Sequence, residues 1–458
     1  MNTERRERLL ANAAKNAQLT LDAVVYLWKN PETGYKEWKA TAYLTERFEM
    51  LGYTVTPAGN IPGFIADLDT GRPGPCVAVF GELDALVVES HPECDKETGA
   101  VHSCGHCCQA AGLLGLAAAL KEPGALDGLS GTIRLIAVPA EELIEVDFRE
   151  GLRRDGVIKY YGGKTEFMHR GLLDGVDMAM MCHSSTAASH RGSISYGSNG
   201  FITKQITFVG KSAHAGGAPH RGINALYAAN QGLNSINALR ETFQDSAHIR
   251  VHPIVTSGGT VVNAIPEKVT MESYIRGASM EAVRDANIKV NRALAASAAA
   301  LGANVVLCDR PGYFPRIHSR PFMELAKEAM EQVMETVSYN PDGWGAGSSD
   351  MGDVSSVMAT IHPFIGGCTG TEHGDNYCIA DPNAACVDIV KVELLILELL
   401  LENGAERAKE IAAEFVPTYA TIADYLAYAD SFVLDREAVK YDEAGNVLLN
   451  LGEEERNI

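Results

Sequence analysis

The segment 100–109, AVHSCGHCCQ, sets Cys104, His106, Cys107 and Cys108 just ahead of an apolar run. Cys104-Gly-His-Cys107 can be read as a C-x-x-C dithiol or as part of a metal site. Other residues of the same chemistry follow apolar stretches elsewhere. Asp84 comes after CVAVFGEL, Glu141 and Glu142 after TIRLIAVP, His183 after VDMAMMC, and His373 after SVMATIHPFIGG. Asp, Cys, His and Glu together are the donors of a zinc or manganese centre. This many donors suits two ions with a shared group, an arrangement that activates water for hydrolysis. On a helix Cys104 and His106 would diverge by about 200°. On an extended turn both can approach one cluster, and Gly105 permits such a turn. Taken singly, each residue has a plainer reading, as a hydrogen-bonded structural histidine or as an acid near a helix start. Their shared position after strand-like runs is what points to a metal.

The elements that would carry them can be read from periodicity. CVAVFGEL, TIRLIAV, VDMAMMC and SVMATIHPFIG are short β-rich runs. GLLGLAAAL and VKVELLILELLL read as helices, and the first fifty residues carry helical periodicity broken at NPETGY. Strands alternating with helices predict an α/β domain with a mainly parallel sheet and helices on both faces. In such sheets ligands bind beyond the carboxyl ends of the strands, where these residues fall. The middle of the chain differs. FITKQITFVG alternates like a half-exposed strand, GINALYAANQGLNSINALRETF is an amphipathic helix, RVHPIVTSGG and KVTMESYIRG are strands, and MEAVRDANIKVNRALAASAAALG is a helix. This order predicts an inserted α+β domain over 196–311. It would split the catalytic domain into 1–195 and 312–402, and 403–458 would be a C-terminal extension with no assigned role.

The composition narrows the class of protein. A chain of 458 residues with 46% hydrophobic content suits two or three globular domains. A formal net charge of −20 argues against nucleic acid or an anionic membrane as partner. MNTERRERLL has no signal-peptide apolar region, and VELLILELLL is too short and too charged to span a bilayer. A cytoplasmic location is therefore expected, with the ten cysteines as reduced thiols or ligands. Cys76, Cys308 and Cys386 read as small core residues.

With these residues assembled, the chain resembles the metal-dependent amidohydrolases and metallopeptidases of the aminoacylase and glutamate carboxypeptidase superfamily. It is most similar to the branch of indole-acetyl-amino-acid hydrolase and p-aminobenzoyl-glutamate hydrolase. The matching segments are NPETGYKEWKATAYL, GELDAL, GAVHSCGHCCQAAGLLGLA, VPAEE, GKSAHAGGAPHRGINAL, GGTVVNAIPEKV, GSSDMGDVS and TGTEHGDNY, across roughly residues 20–400. The resemblance implies that Cys104, His106, Glu142, His183 and His373 are metal ligands. It makes Glu141 the general base and Asp84 the carboxylate that orients a ligand. It implies one or two divalent ions per subunit, zinc or manganese, and a homodimer formed through the inserted domain, which also serves as a lid. His214 would stabilise the oxyanion, often in the partner's site, and Asn263 and Arg276 would hold the polar or carboxylate end of a small-molecule substrate. Two positions depart from the family pattern. Cys107 stands where Asp or Asn usually follows the second His, and no Pro follows Asp84-Ala-Leu.

The expected reaction is metal-assisted hydrolysis of a C–N bond, in an N-acyl or N-aroyl amino acid or a small peptide-like substrate. Glu141 would take the water's proton and pass it to the leaving nitrogen. One alternative keeps the chemistry but changes the bond, to an aryl amine or another non-peptide C–N bond cleaved by hydrolytic deamination. Another is a non-catalytic binding protein with a degenerate centre. A redox role for C-x-x-C is disfavoured because Ser103, not an aromatic residue, precedes Cys104. Cys107 and Cys108 then read as packing residues at a helix start.

Overall fold

Four of the strands that precede the candidate ligands lie side by side and point the same way. The computed structural model describes residues 3–453. Thr132–Val138, Cys76–Glu82, Met178–Met180 and Ala359–Ile361 pair in parallel. Phe64–Asp69 and Val55–Pro57 extend this sheet antiparallel at one edge, giving six strands. The parallel strands are almost wholly buried, as continuous apolar runs in a covered sheet should be. Glu82 pairs with Val138, so the residues just beyond both strands emerge at one end of the sheet. The fold is the mainly parallel α/β type that the sequence predicts.

The helix His106–Leu120 leads from this end of Cys76–Glu82 towards Thr132–Val138, and all of its residues are buried. Its sequence is apolar on every side, which suits a helix enclosed by neighbours rather than an amphipathic one. Asp388–Leu401 is enclosed in the same way and packs against it. The helices Thr3–Lys15, Ala17–Lys29 and Trp38–Met50 join the same core, with NPETGY as the break between the last two. Met178–Met180 is followed at once by His183–Ser185, which pairs in parallel with Phe364–Gly366.

The chain divides into two compact units. The first is Met1–Gly197, Arg316–Gly345 and Asp350–Ile422; the second is Ser198–Pro315, Ala346–Ser349 and the chain from Ala423. The second unit has an antiparallel sheet of Arg250–Val251, Lys268–Gly277, Gly200–Val209, Asn304–Pro311 and Leu434–Glu437, in that order. Ala225–Ala238 and Met280–Ala300 pack on it and on each other. Strict alternation of burial along Lys268–Gly277 shows that one face of the strand is covered. The surprise is Leu434–Glu437. It lies in the stretch after 402 for which the sequence suggests no role, and it completes this sheet beside Asn304–Pro311. A short strand with charged residues carries too weak an apolar pattern to be recognised without its partner. The terminal residues 1–2 and 454–458, at the ends of the first and last expected segments, lie outside the described residues.

Candidate metal centre

Gly105 is where the ligand turn is made. It has φ +88° and caps the N-terminus of His106–Leu120, so Cys104 precedes the helix and His106 opens it. A side chain at 105 would be strained by that φ, and its Cβ would collide with Ser184 Oγ and Tyr377 Oη. The turn lets both residues face one cluster. Cys104 Sγ, His106 and His183 offer donor atoms within 4.8 Å of one another, and so do Cys104, Glu142 and His373. Cys104 belongs to both groups, the arrangement expected of a shared donor.

The histidines are held with one nitrogen inward. His106 Nδ1 lies 3.1 Å from Asp84 Oδ1 and 3.1 Å from the Asp84 carbonyl. A protonated Nδ1 satisfies both acceptors and leaves the Nε2 lone pair free. His183 Nδ1 lies 2.5 Å from the Ser184 carbonyl, so its Nε2 faces Cys104 Sγ at 3.7 Å. His373 Nε2 is 3.3 Å from Glu142 Oε1. His373 itself has φ +63°, unusual for a non-glycine residue, and its N–H donates to the Ser103 carbonyl at 2.9 Å. That bond ties the loop carrying His373 to the Cys104 turn.

Pro139-Ala-Glu-Glu142 is pinned from outside. Ala140 has φ +60°, its N–H donates to Glu37 Oε1 at 2.8 Å, and the Arg149 guanidinium donates to the Glu142 carbonyl. Glu37 belongs to the segment NPETGYKEW, so that motif buttresses the acidic turn. Asp84 Oδ2 accepts the Glu142 N–H at 2.6 Å.

The electrostatics are those of a site built for cations. Burial pushes the Glu141 carboxyl well up, helped by the nearby charges of Glu82, Glu142 and Asp350. Burial also pushes the Cys104 thiol well up, with Glu142 adding to the effect. Asp84 goes the other way. Burial opposes its ionisation, but the hydrogen bond and charge of His106 outweigh that and keep it below the usual range. Three buried donor atoms, His106 Nε2, Glu82 Oε2 and Glu142 Oε1, have no hydrogen bond. Orphaned buried acceptors beside a thiol and three imidazoles are costly unless a cation satisfies them. The residues therefore fit divalent metal.

Glu82 is the residue that sequence reasoning passed over. It stands within GELDAL, two positions before Asp84, and in extended chain that spacing puts both carboxylates on one side. Cys107 and Cys108 are fully buried in the helix core, away from any ligand role. The other expected residues lie in the second unit. His214 is exposed there, with Nδ1 accepting the N–H groups of Gly216 at 3.2 Å and Gly217 at 2.9 Å. Asn263 accepts the Ala215 N–H at 2.9 Å through its carbonyl, which sets it beside His214. Arg276 donates to Ser348 Oγ at 2.7 Å and lies over the rings of Phe201 and Tyr274.

Residues 196–301 match the family model described as a peptidase dimerisation domain. Thermostable carboxypeptidase 2 of Saccharolobus solfataricus is 26% identical over 81% of this chain and 92% of its own length. Indole-3-acetyl-aspartic acid hydrolase of Enterobacter agglomerans is 32% identical over 54% of this chain and 55% of its own. A p-aminobenzoyl-glutamate hydrolase polypeptide of Escherichia coli is 30% identical over 63% of this chain and 56% of its own. Among solved structures, a dinuclear metal-binding peptidase of Bacillus subtilis superposes with a TM-score of 0.63 at 20% identity, over 85% of this chain and 99% of that one. The chain is similar to this group of metal-dependent amidohydrolases and metallopeptidases. It is a hydrolase that uses a divalent metal to cleave amide bonds.

Proposed function

We propose that the substrate is an N-acyl or N-aroyl amino acid, or a small peptide-like amide. The observation that carries the hydrolytic reading is the set of buried donors without hydrogen bonds, His106 Nε2, Glu82 Oε2 and Glu142 Oε1, beside the Glu141 carboxylate. The relatives' names, a carboxypeptidase and two hydrolases of acyl or aroyl amino acids, support the substrate class.

In this reading Cys104, His106, Glu142, His183 and His373 hold one or two ions of zinc or manganese. When bound, such ions supply Lewis acidity, which lowers the pKa of water and polarises a carbonyl. Glu141 receives the attacking water's proton on a carboxylate oxygen and returns it to the leaving nitrogen. Asp84 keeps the Nδ1 proton on His106, so that Nε2 stays a lone-pair donor. His214 stabilises the oxyanion, and Asn263 and Arg276 hold the substrate's carboxylate. The second unit acts as lid and as the interface of a homodimer, a role supported by the match to a dimerisation domain. A cytoplasmic location belongs to the same reading, with the cysteines as reduced thiols or ligands. No helix among the described residues is long and apolar enough to cross a membrane.

The test is a panel of N-acyl amino acids, N-aroyl amino acids, dipeptides and aryl amides, offered to metal-free protein reloaded with zinc, manganese or cobalt. Turnover of an acyl or aroyl amino acid by one reloaded form, and none by the metal-free chain, is expected. Cleavage of aryl amides alone would overturn the substrate assignment.

A further inference from the structure

Lys164 is a fully buried cation on the helix Gly163–His169. Its Nζ lies 2.5 Å from Glu82 Oε1 and also binds Asp350 Oδ1, while its backbone N–H donates to Asp350 Oδ2 at 3.0 Å. Both carboxylates are fully buried as well. The ammonium thus uses one oxygen of Glu82 and fixes the direction of the other. That other atom, Oε2, has no hydrogen bond and lies 3.3 Å from His106 Nε2, which has none either. Glu141 Oε2 lies 3.8 Å from the same nitrogen. Glu82, His106 and Glu141 form a third group of donors within 4.8 Å of one another.

His106 has one nitrogen to offer, because Nδ1 faces Asp84. The group with Cys104 and His183 and the group with Glu82 and Glu141 therefore share a single donor atom. Glu82 Oε2, 3.3 Å from His106 Nε2, is thus a carboxylate oxygen within reach of an ion held by that nitrogen at the usual distance of about 2.1 Å. From this we infer that Glu82 is a further ligand of the ion at Cys104, His106 and His183, with Lys164 and Asp350 as the residues that orient it. The inference rests on the metal-dependent reading above and adds a ligand to the five it names. The buried ion pair alone does not account for the arrangement. A carboxylate needed only by Lys164 would gain by turning Oε2 to a second hydrogen bond, since an orphaned buried oxygen is costly.

The experiment compares wild-type protein with Glu82→Gln and Glu82→Asp. Each is stripped of metal, checked for folding by circular dichroism, and titrated with zinc and manganese against a competing chelator. Cobalt-loaded samples report the ligand field through their visible bands. Glu82→Gln is expected to keep one ion at wild-type affinity, lose about tenfold or more at the other, and shift the cobalt bands. If that variant does not fold, Glu82→Asp decides the matter. It keeps the charge for Lys164 but shortens the reach, and the same loss and spectral shift are expected. Unchanged affinity and unchanged bands in a folded variant would overturn the inference, leaving Glu82 as a partner of Lys164 with the metal reading intact. Wild-type protein that binds no divalent ion would overturn both.

Discussion

Cys104 Sγ and His183 Nε2 lie 3.7 Å apart, although 79 residues separate them in the chain. Backbone geometry brings them together. Ser184 Oγ donates to the Gly105 carbonyl at 3.2 Å, so the strand carrying His183 is tied to the turn carrying Cys104. The thiol is therefore placed by a glycine-dependent turn and the imidazole by a strand end, and neither depends on a long side chain finding its way. Such preorganisation lets a thiolate and an imidazole meet a metal with little further ordering.

Cys104→Ser should lose metal, because a neutral hydroxyl replaces a thiolate that both donor groups share. Affinity should fall by roughly 10–100-fold or more, with activity falling alongside. Cys107→Ser should keep both, since Cys107 is buried in the helix core. Metal analysis and turnover of the two variants check this. Equal loss of activity at normal metal content would favour dithiol chemistry instead.

Glu141→Gln should separate chemistry from binding. The amide is nearly isosteric but cannot accept the water's proton, so turnover should drop by roughly 10²-fold or more at normal metal content. Substrate affinity should change little, as expected for a group that acts in the transition state. Glu142→Gln should shed metal as well as rate, because its Oε1 faces His373. If the two variants exchange these phenotypes, the roles of base and ligand are reversed.

His214→Ala should bind metal normally and turn over slowly. Mixed with Cys104→Ser under subunit exchange, it should recover part of the activity if each site borrows His214 from its partner. Heterodimers shown to form without any recovery would rule out that sharing.

Glu393, whose Oε1 accepts the Cys182 N–H at 3.4 Å, offers a pH test. Burial raises its carboxyl from 4.5 to about 8, and its Oε2 has no hydrogen bond. The folded chain therefore keeps a proton that the unfolded chain releases above about pH 4.5. Stability from this group is full below that pH and declines up to about pH 8, by on the order of 4 kcal/mol. Glu393→Gln should unfold at a higher temperature than wild type at pH 8, with little difference at pH 5. Parallel melting curves at both pH values would contradict this account.

Much of the site is legible in the sequence because its residues follow strands that are easy to recognise. Cys76–Glu82 and Thr132–Val138 are continuous apolar runs, and a strand buried on both faces has to be one. The acids after them could hardly lie anywhere but beyond the strand ends. Gly105 was equally readable, since two donors flanking a glycine need a turn that only glycine makes without strain. Glu82 was hidden because a carboxylate at the end of a strand looks the same whether it faces solvent, a lysine or an ion. Leu434–Glu437 was hidden because a short polar strand is recognised only by what it pairs with.

What the sequence determined alone is the alternation of strands and helices, the inserted α+β segment, and the kinds of donor available, all of which depend on local periodicity and residue chemistry. Tertiary structure decided which of those donors share an ion, that Lys164 and Asp350 stand behind Glu82, and that the chain from Ala423 returns to the second unit. These are contacts between residues distant in the chain, 82 positions apart for Lys164 and Glu82 and 186 for Lys164 and Asp350. Their distances depend on how whole elements pack, and neither periodicity nor spacing along the chain contains that information.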